Sequence, residues 1–439
     1  MLLETLKEQK QTEVGNYFVA NYPPFSVWSP SAVPSALAAL QSEADSATPL
    51  GLYLHIPFCR KRCKFCYFRV YTDRNADQVE QYIDALTREV AMYAQMPGTA
   101  GRQFEFVYFG GGTPSFLSNA QLERLIERIH EHWNWHAARE VTFECEPGTL
   151  KQSKVQTIRK IGVTRLSLGV EHFDDEILSL NGRAHRSGEI FQAYNWAREA
   201  GFDQINIDLI AGMLGDTEDK WKMAVAKALE LAPDSLTIYQ LELPYNTIIS
   251  KESRQSGHAA SVADWPTKRA WVDYAFRQFE ATGYVVSSAY TLVKPSRNGR
   301  FIYRDSVWRG ADMIGTGVAS FSHFQGVHYQ NVDTWEQYLQ RTRDGQLPVN
   351  RALVCTPRQR LLREMILQLK LGRIDAGYFR AKFGQEILDQ FAEPYRQLVD
   401  DGFVTISGDE ICLTRAGLLR ADSLLHSFFE PEYRNIRYT

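Results

Sequence analysis

Between residues 50 and 282 the chain switches six times from a short run of aliphatic, β-branched and aromatic residues to a longer amphipathic stretch. The runs fall at 51–58, 104–110, 140–147, 165–170, 205–210 and 235–241. The amphipathic stretches fall at 76–95, 119–133, 151–160, 174–181 with 187–199, 217–230 and 265–281. Strand–helix alternation of this kind predicts an α/β fold, a parallel sheet covered by helices. Near-continuous apolar runs agree, because parallel strands are buried on both faces. In an α/β barrel the chemistry belongs at the C-terminal strand ends. Cys59, the segment 110–114, Glu144, Glu171, Asp208 and Gln240 all fall at or near such ends.

The flanks read differently. Residues 1–50 hold several prolines and aromatics ahead of one short helix, and five aromatic residues between 17 and 28 argue for an ordered arm wrapped on the body. The barrel is expected over 51–290, with 243–264 as a surface connection, and a post-barrel segment closing the active site over 291–349. From 350 to 439, helices, the strand pair in FVTISGDEICLT and a final helix over RAGLLRADSLLHSFF (415–429) suggest a winged-helix-like domain. That domain carries no basic stripe, and a net charge of −3 gives no polyelectrolyte signal, so nucleic-acid binding is not expected. No stretch approaches the roughly 18 apolar residues of a membrane span, and the N-terminus has no apolar signal core. The expected setting is the cytoplasm.

Three of the six cysteines, Cys59, Cys63 and Cys66, lie within eight residues in FCRKRCKFC, directly after the first strand. Such scatter among the rest is not a disulfide framework; it fits a reducing compartment and a metal site. Iron–sulfur clusters are normally held by four thiolates, so a compact group of three suggests a [4Fe–4S] cube with one open iron. A structural zinc would need a fourth ligand, for which His55 is the local candidate. A solvated basic loop with incidental thiols is the other alternative, since Arg60, Lys61, Arg62 and Lys64 surround them.

Cys-x3-Cys-x2-Cys after Tyr53-Leu-His55-Ile-Pro-Phe58 resembles the radical S-adenosylmethionine (SAM) superfamily, in the class of the oxygen-independent coproporphyrinogen III oxidases. The similarity runs from about 50 to 427 and includes Gly110-Gly-Gly-Thr-Pro114, RLSLGVEHF, NIDLIAG, WRGADMIGTGVASF and LTRAGLLRADSLL. It implies a partial (β/α)6 barrel, a [4Fe–4S] cluster on the three cysteines, and SAM chelated by the open iron, as one molecule or two. It further implies that Gly111, Gly112 and Thr113 bind the SAM amino group. Glu144 is implied as a ribose contact, Phe65 as the adenine-side aromatic, and Tyr53 as a lining residue. Arg183 and Asp208 match family positions, and Phe321 is the equivalent of a second-SAM contact. Glu171 stands where the family usually has Gln; a carboxylate cannot donate as an amide can.

Three activities occur among such proteins. The oxidases often carry another cysteine two positions beyond the third ligand, where this chain has Phe68. Heme chaperones of the class carry a histidine motif whose aligned residues here are Tyr303, Arg304, Val307 and Trp308. Radical methyltransferases and cyclopropanases need neither, so methyl or methylene transfer from a second SAM to a conjugated substrate is the expected reaction. Decarboxylation of coproporphyrinogen III and heme carriage are the alternatives. A planar substrate would suit the aromatics Phe58, Tyr67, Phe68 and Tyr71, and Arg69, Arg183, Arg186 and Arg300 could hold its carboxylates. A reducing donor of flavodoxin or ferredoxin type is the implied partner.

Overall fold

A computed structural model describes residues 18–258, 260–295, 300–434 and 436. Six parallel strands, β1 (Leu50–Ile56), β2 (Phe104–Gly111), β3 (Glu140–Cys145), β4 (Arg165–Glu171), β5 (Gln204–Ala211) and β6 (Ser235–Gln240), lie side by side in chain order. Helices connect them, so the α/β class and its six repeats stand as expected. The sheet continues at both edges. β7 (Val285–Val286) and β8 (Thr291–Val293) follow β6 antiparallel. On the other edge β9 (Asp312–Thr316) pairs parallel with β1, and β10 (Phe321–Phe324), β11 (Val327–Asn331) and β12 (Val349–Val354) follow antiparallel, making twelve strands.

The two faces of the parallel strands differ. Leu52, Leu54, Val107, Phe109, Val141, Phe143, Leu166, Leu168, Ile205, Ile207, Leu236 and Ile238 are buried in one core with the covering helices. The alternate positions, Thr142, Ser167, Asn206, Ser235 and Thr237, are equally buried but polar. A period of two puts them together on the inner face. They satisfy one another there: the Asn206 amide donates to Ser167 and Asp208 at 2.9 Å each, while Ser235 and Thr237 donate to the Asn206 carbonyl at 2.8 and 3.1 Å. Burial on both faces therefore holds, but the inner face is hydrogen-bonded rather than apolar.

The helix Ile302–Trp308 plugs the N-terminal end of this interior. Its first amides, Ile302 and Tyr303, donate to the carboxylate of Glu140 on β3 at 2.9 and 3.1 Å. An acidic group here meets unpaired N–H donors at the positive end of the helix. Arg165 lies over the Phe301 ring at 4.0 Å. A second carboxylate, Glu89, accepts from Tyr338, Gly317 and Asn331, and so ties the β9–β11 layer to the helix Ala76–Ala94.

The C-terminal part has its own core, built from Leu362, Met365, Ile366, Phe379, Ile387, Phe391, Leu425 and Phe428. The hairpin β14 (Val404–Ser407) and β15 (Glu410–Leu413) is present, with β13 (Arg373–Asp375) as a third strand. The single final helix expected over 415–429 is instead two short helices, Arg415–Leu418 and Ala421–Leu425, then a 3-10 turn. The break lies where the Leu419 carbonyl accepts from Gln240 of the barrel at 3.0 Å. A helix, Ile248–Ser256, also forms inside the connection 243–264, capped by Thr247 and anchored by buried Ile249.

The described part of the arm is ordered on the body. Val19 and Tyr22 sit in the C-terminal core, Phe25 packs on Phe321 at 4.3 Å, and Trp28 stacks on His328 at 5.2 Å. Phe18 and Val19 donate their amides to Glu242 and Asp422 at 2.5 and 2.8 Å. Tyr17 and everything before it lie outside the described residues.

Candidate functional site

Near their C-terminal ends the parallel strands open onto one chamber. β1, β3 and β5 are buried throughout except at Tyr53, Glu144 and Asp208. The matching partly exposed positions on the neighbours are Tyr108, Glu171 and Tyr239. Tyr53 and Tyr108 stand opposite in register and their rings stack at 5.8 Å. Tyr108 donates to Glu144 at 2.6 Å, and Ser167 donates to Asp208 at 2.9 Å. A register shift between Gly169 and Glu171, with Glu171 at φ +66°, turns the Glu171 side chain toward Arg183, 3.8 Å away. Bulges re-aim a strand's last side chain in this way.

The electrostatics follow from placing three carboxylates in one half-buried space. Burial pushes Glu144 up to about 7, against the pull of the Tyr108 hydrogen bond. It pushes Glu171 up to about 7 as well, against the Arg183 charge. Burial also raises Asp208, opposed by Arg165 and Ser167. A ligand bringing ammonium or hydroxyl donors complements such a surface.

The cysteine loop sits beside this chamber. The Cys59 amide donates to the Tyr71 carbonyl at 3.0 Å and the Tyr71 amide to Pro57 at 2.7 Å, closing the loop on itself. Lys64 donates to the Asn181 carbonyl at 2.9 Å, and Ile249 to the Lys64 carbonyl at 3.2 Å. Thr113 donates to the Cys59 sulfur at 3.3 Å and Arg183 to the Cys63 sulfur at 3.1 Å. Burial works against the Arg183 charge, yet Cys63 and Glu171 beside it more than offset this and its pKa rises. Burial raises Cys59 to about 12 and Cys66 to about 11, so metal ligation there must displace protons.

The donor set fits a cluster better than a single ion. Cys59, Cys63 and Cys66 offer three free sulfur donors on one loop, and the corners of a cube take each thiolate on a different iron. His55 is not the fourth ligand of a zinc site. Its ring lies against Tyr53 and Gly111, its Nε2 is buried without a partner, and burial lowers it to about 4. Arg183 Nε is likewise buried without a partner beside the cysteines.

The glycine segment has a structural reason of its own. Gly111 has φ +109°, which only glycine adopts freely, and the His55 ring occupies the space a Cβ would need. A Cβ on Gly112 would lie 2.9 Å from backbone atoms of Ile56, Pro57 and Phe58. The segment therefore packs directly on the start of the cysteine loop and delivers Thr113 to Cys59.

Other sequence candidates separate. Phe65 packs with Ile177, Ile210, Met213 and Leu241 at the ends of β5 and β6. Phe321, expected as a second-SAM contact, is partly buried at the start of β10 and packs on Phe25 and Trp28 of the arm at 4.3 and 5.6 Å. Phe58, expected among aromatics near a substrate, is fully buried against Tyr82, Phe116 and Trp335. Tyr71 packs on Trp335, leaving Tyr67 and half-exposed Phe68 as the open aromatic pair. Arg69 pairs with Asp333 at the surface, Arg186 donates to the Asp175 carbonyl and Arg300 is exposed. Glu146, which shares a face with Glu144 by strand period, leaves the strand and binds His185 and Arg60 at 2.8 and 3.1 Å. Sequence reasoning missed Tyr108 and Tyr239 in the chamber; the period of two along each strand was the signal that could have found them.

Residues 53–228 match the model of the Radical SAM superfamily, and residues 355–420 match the HemN C-terminal domain. The chain is 29% identical over 392 residues to the oxygen-independent coproporphyrinogen III oxidase of Escherichia coli, covering 84% of this chain and 83% of that one. It is 25% identical over 378 residues to the heme chaperone HemW of Bacillus subtilis, covering 86% and 98%. The solved structure of the E. coli coproporphyrinogen III oxidase HemN, a radical SAM enzyme, superposes with a TM-score of 0.82 at 26% identity, over 97% of this chain and 98% of that chain.

Proposed function

Because the chain belongs to the radical SAM superfamily, in its oxygen-independent coproporphyrinogen III oxidase-like class, we propose that the chamber binds SAM and presents it to a tetrapyrrole substrate. Members of this superfamily use a [4Fe–4S] cluster and SAM. Bound together, they supply reductive cleavage of a SAM carbon–sulfur bond and a 5′-deoxyadenosyl radical. One observation carries the reading: the ring of Tyr53, Tyr108, Glu144, Glu171, Asp208 and Tyr239 shares its rim, through Arg183 and Thr113, with Cys59 and Cys63.

In this reading Cys59, Cys63 and Cys66 hold the cluster, and Thr113 and Arg183 donate to the Cys59 and Cys63 sulfurs. Glu144 accepts ribose hydroxyls, Tyr53 and Phe65 flank the nucleoside, and Gly111 and Gly112 carry backbone groups to the SAM ammonium. Asp208 and Glu171 complete the acidic wall, and Glu171 must accept where an amide would both accept and donate. Tyr67 and Phe68 form the shelf for a planar substrate. A small reducing protein of flavodoxin or ferredoxin type would deliver the electron.

The reaction best supported by the relatives is decarboxylation of propionate side chains on coproporphyrinogen III. The expected two-SAM methyl or methylene transfer draws no support from them. It stays as the second reading on one observation, Phe68 in place of the oxidases' additional cysteine. Among the described residues no helix is long and apolar enough to cross a membrane.

The deciding experiment is anaerobic incubation of cluster-reconstituted protein with SAM, dithionite and coproporphyrinogen III, followed by mass spectrometry. 5′-Deoxyadenosine with loss of carbon dioxide supports decarboxylation. S-adenosylhomocysteine beside 5′-deoxyadenosine supports methyl transfer. Neither product, with heme retained in a parallel binding assay, overturns the enzyme reading in favour of a carrier.

A further inference from the structure

Tyr108 is locked from three sides. Its hydroxyl donates to Glu144 at 2.6 Å. Its ring lies between Tyr53, stacked at 5.8 Å and 15°, and Tyr303, at 4.4 Å and 34°. Tyr303 is itself pinned, because its amide donates to Glu140 at 3.1 Å, four residues before Glu144 on the same strand. The plug helix therefore grips β3 at Glu140 through its backbone, and at Glu144 through the column of rings. Phe301 extends the column, with its centroid 5.6 Å from Tyr303 and 6.3 Å from Tyr108.

The geometry points to Tyr108 as a positioning residue for SAM, with Tyr303 as its buttress: together they fix the orientation of the Glu144 carboxylate that is to meet the ribose. This role rests on the reading of Glu144 as a ribose contact. A carboxylate free to rotate would lose orientation, and a carboxylate without its phenol donor would hold its proton more tightly. Tyr108 works against a crowded field. Glu144 faces Tyr53 on β1, Arg165 and Glu171 on β4, Asp208 on β5, Tyr239 on β6 and Tyr303 on the plug helix. Of these only Arg165 is cationic; the Tyr108 phenol, with the Gly111 amide and the Arg165 charge, draws the Glu144 pKa down against burial and Asp208.

The test is equilibrium dialysis of radiolabelled SAM against the reconstituted, unreduced full chain between pH 6 and 8.5. Tyr108→Phe is expected to weaken binding roughly tenfold at neutral pH, and to move the pH below which binding fades upward by about one unit. Tyr303→Ala is expected to move both in the same direction by less, since Tyr108 keeps its hydroxyl but loses its buttress. Glu144→Gln is expected to weaken binding and flatten the profile. Wild-type profiles in Tyr108→Phe and Tyr303→Ala, with Glu144→Gln impaired, overturn the positioning role alone. A wild-type profile in Glu144→Gln overturns the ribose contact and the positioning role with it. Should Tyr108→Phe fail to fold, judged by its circular dichroism, Tyr303→Ala decides.

Discussion

The barrel interior and the C-terminal core are both largely buried, yet they are filled with different chemistry. The C-terminal core is mainly aliphatic and aromatic, and its buried charges Arg363, Glu364 and Lys370 are hydrogen-bonded or ion-paired. Many ion pairs, such as Arg380 with Glu386 and Asp409, lie half exposed outside it. The barrel interior holds carboxylates, tyrosines, an arginine and amides, with several carboxylates pushed toward neutrality by burial. Burying a charge costs unless it is paired and hydrogen-bonded, so the barrel gives up stability that the C-terminal core retains. The region that looks least economical is the one arranged for a ligand.

The largest expected effect tests the barrel side. Cys63→Ala should remove the cluster's absorbance near roughly 400 nm and all SAM cleavage, read by iron analysis and an anaerobic assay. Full iron content and activity in that variant would break the assignment of the loop. Next, Phe379→Ala in the fully buried C-terminal core should cost about 3–5 kcal/mol in denaturant unfolding. The cluster signal of the surviving folded protein should be unchanged; its loss would mean that the two regions are not separable.

Gly112→Ala lies between these extremes. Its Cβ would meet three backbone atoms at 2.9 Å, so a cost of about 1–3 kcal/mol is expected from overpacking. Because those atoms begin the cysteine loop, cluster occupancy should fall with it, measured as iron per chain.

Glu171→Gln gives a smaller, pH-dependent effect. The Glu171 pKa is raised from its ordinary value to about 7 in the folded chain. Between these values the native state binds more protons than the unfolded one, so this group lowers stability as pH rises from about 4.5 to about 7. The variant should lose that slope, gaining at most about 3 kcal/mol relative to the parent by the top of the window, followed by urea titrations at several pH values. A parallel slope would show that Arg183 keeps Glu171 charged throughout. Last, Arg380→Ala should leave the melting temperature unchanged, since exposed ion pairs contribute little.

Much of the fold was legible because alternation of apolar runs and amphipathic stretches is a local property. Three thiols on one loop are likewise local, and so are a glycine segment after β2 and the acidic residues near the ends of β3, β4 and β5. The extra strands β9–β12 were not legible as part of the sheet. A glycine-rich stretch looks like a loop until Gly315 and Gly317 are found packed beside β10 and His55. The final helix was overextended because its break comes from docking on Gln240, a residue 179 positions away. That Phe321 packs on the arm was not legible either, because nothing in its own segment announces Phe25 and Trp28, far earlier in the chain.

By itself the sequence determined the alternating class, the order of elements and the identity of the thiol loop, since periodicity and spacing act over a few residues. Only the tertiary structure decided which polar residues meet. Tyr108, Glu144, Glu171 and Asp208 come from four strands, and Arg183 reaches Cys63 across 120 positions. Register, twist and the plug helix set those meetings, and their strength depends on burial that no single segment possesses.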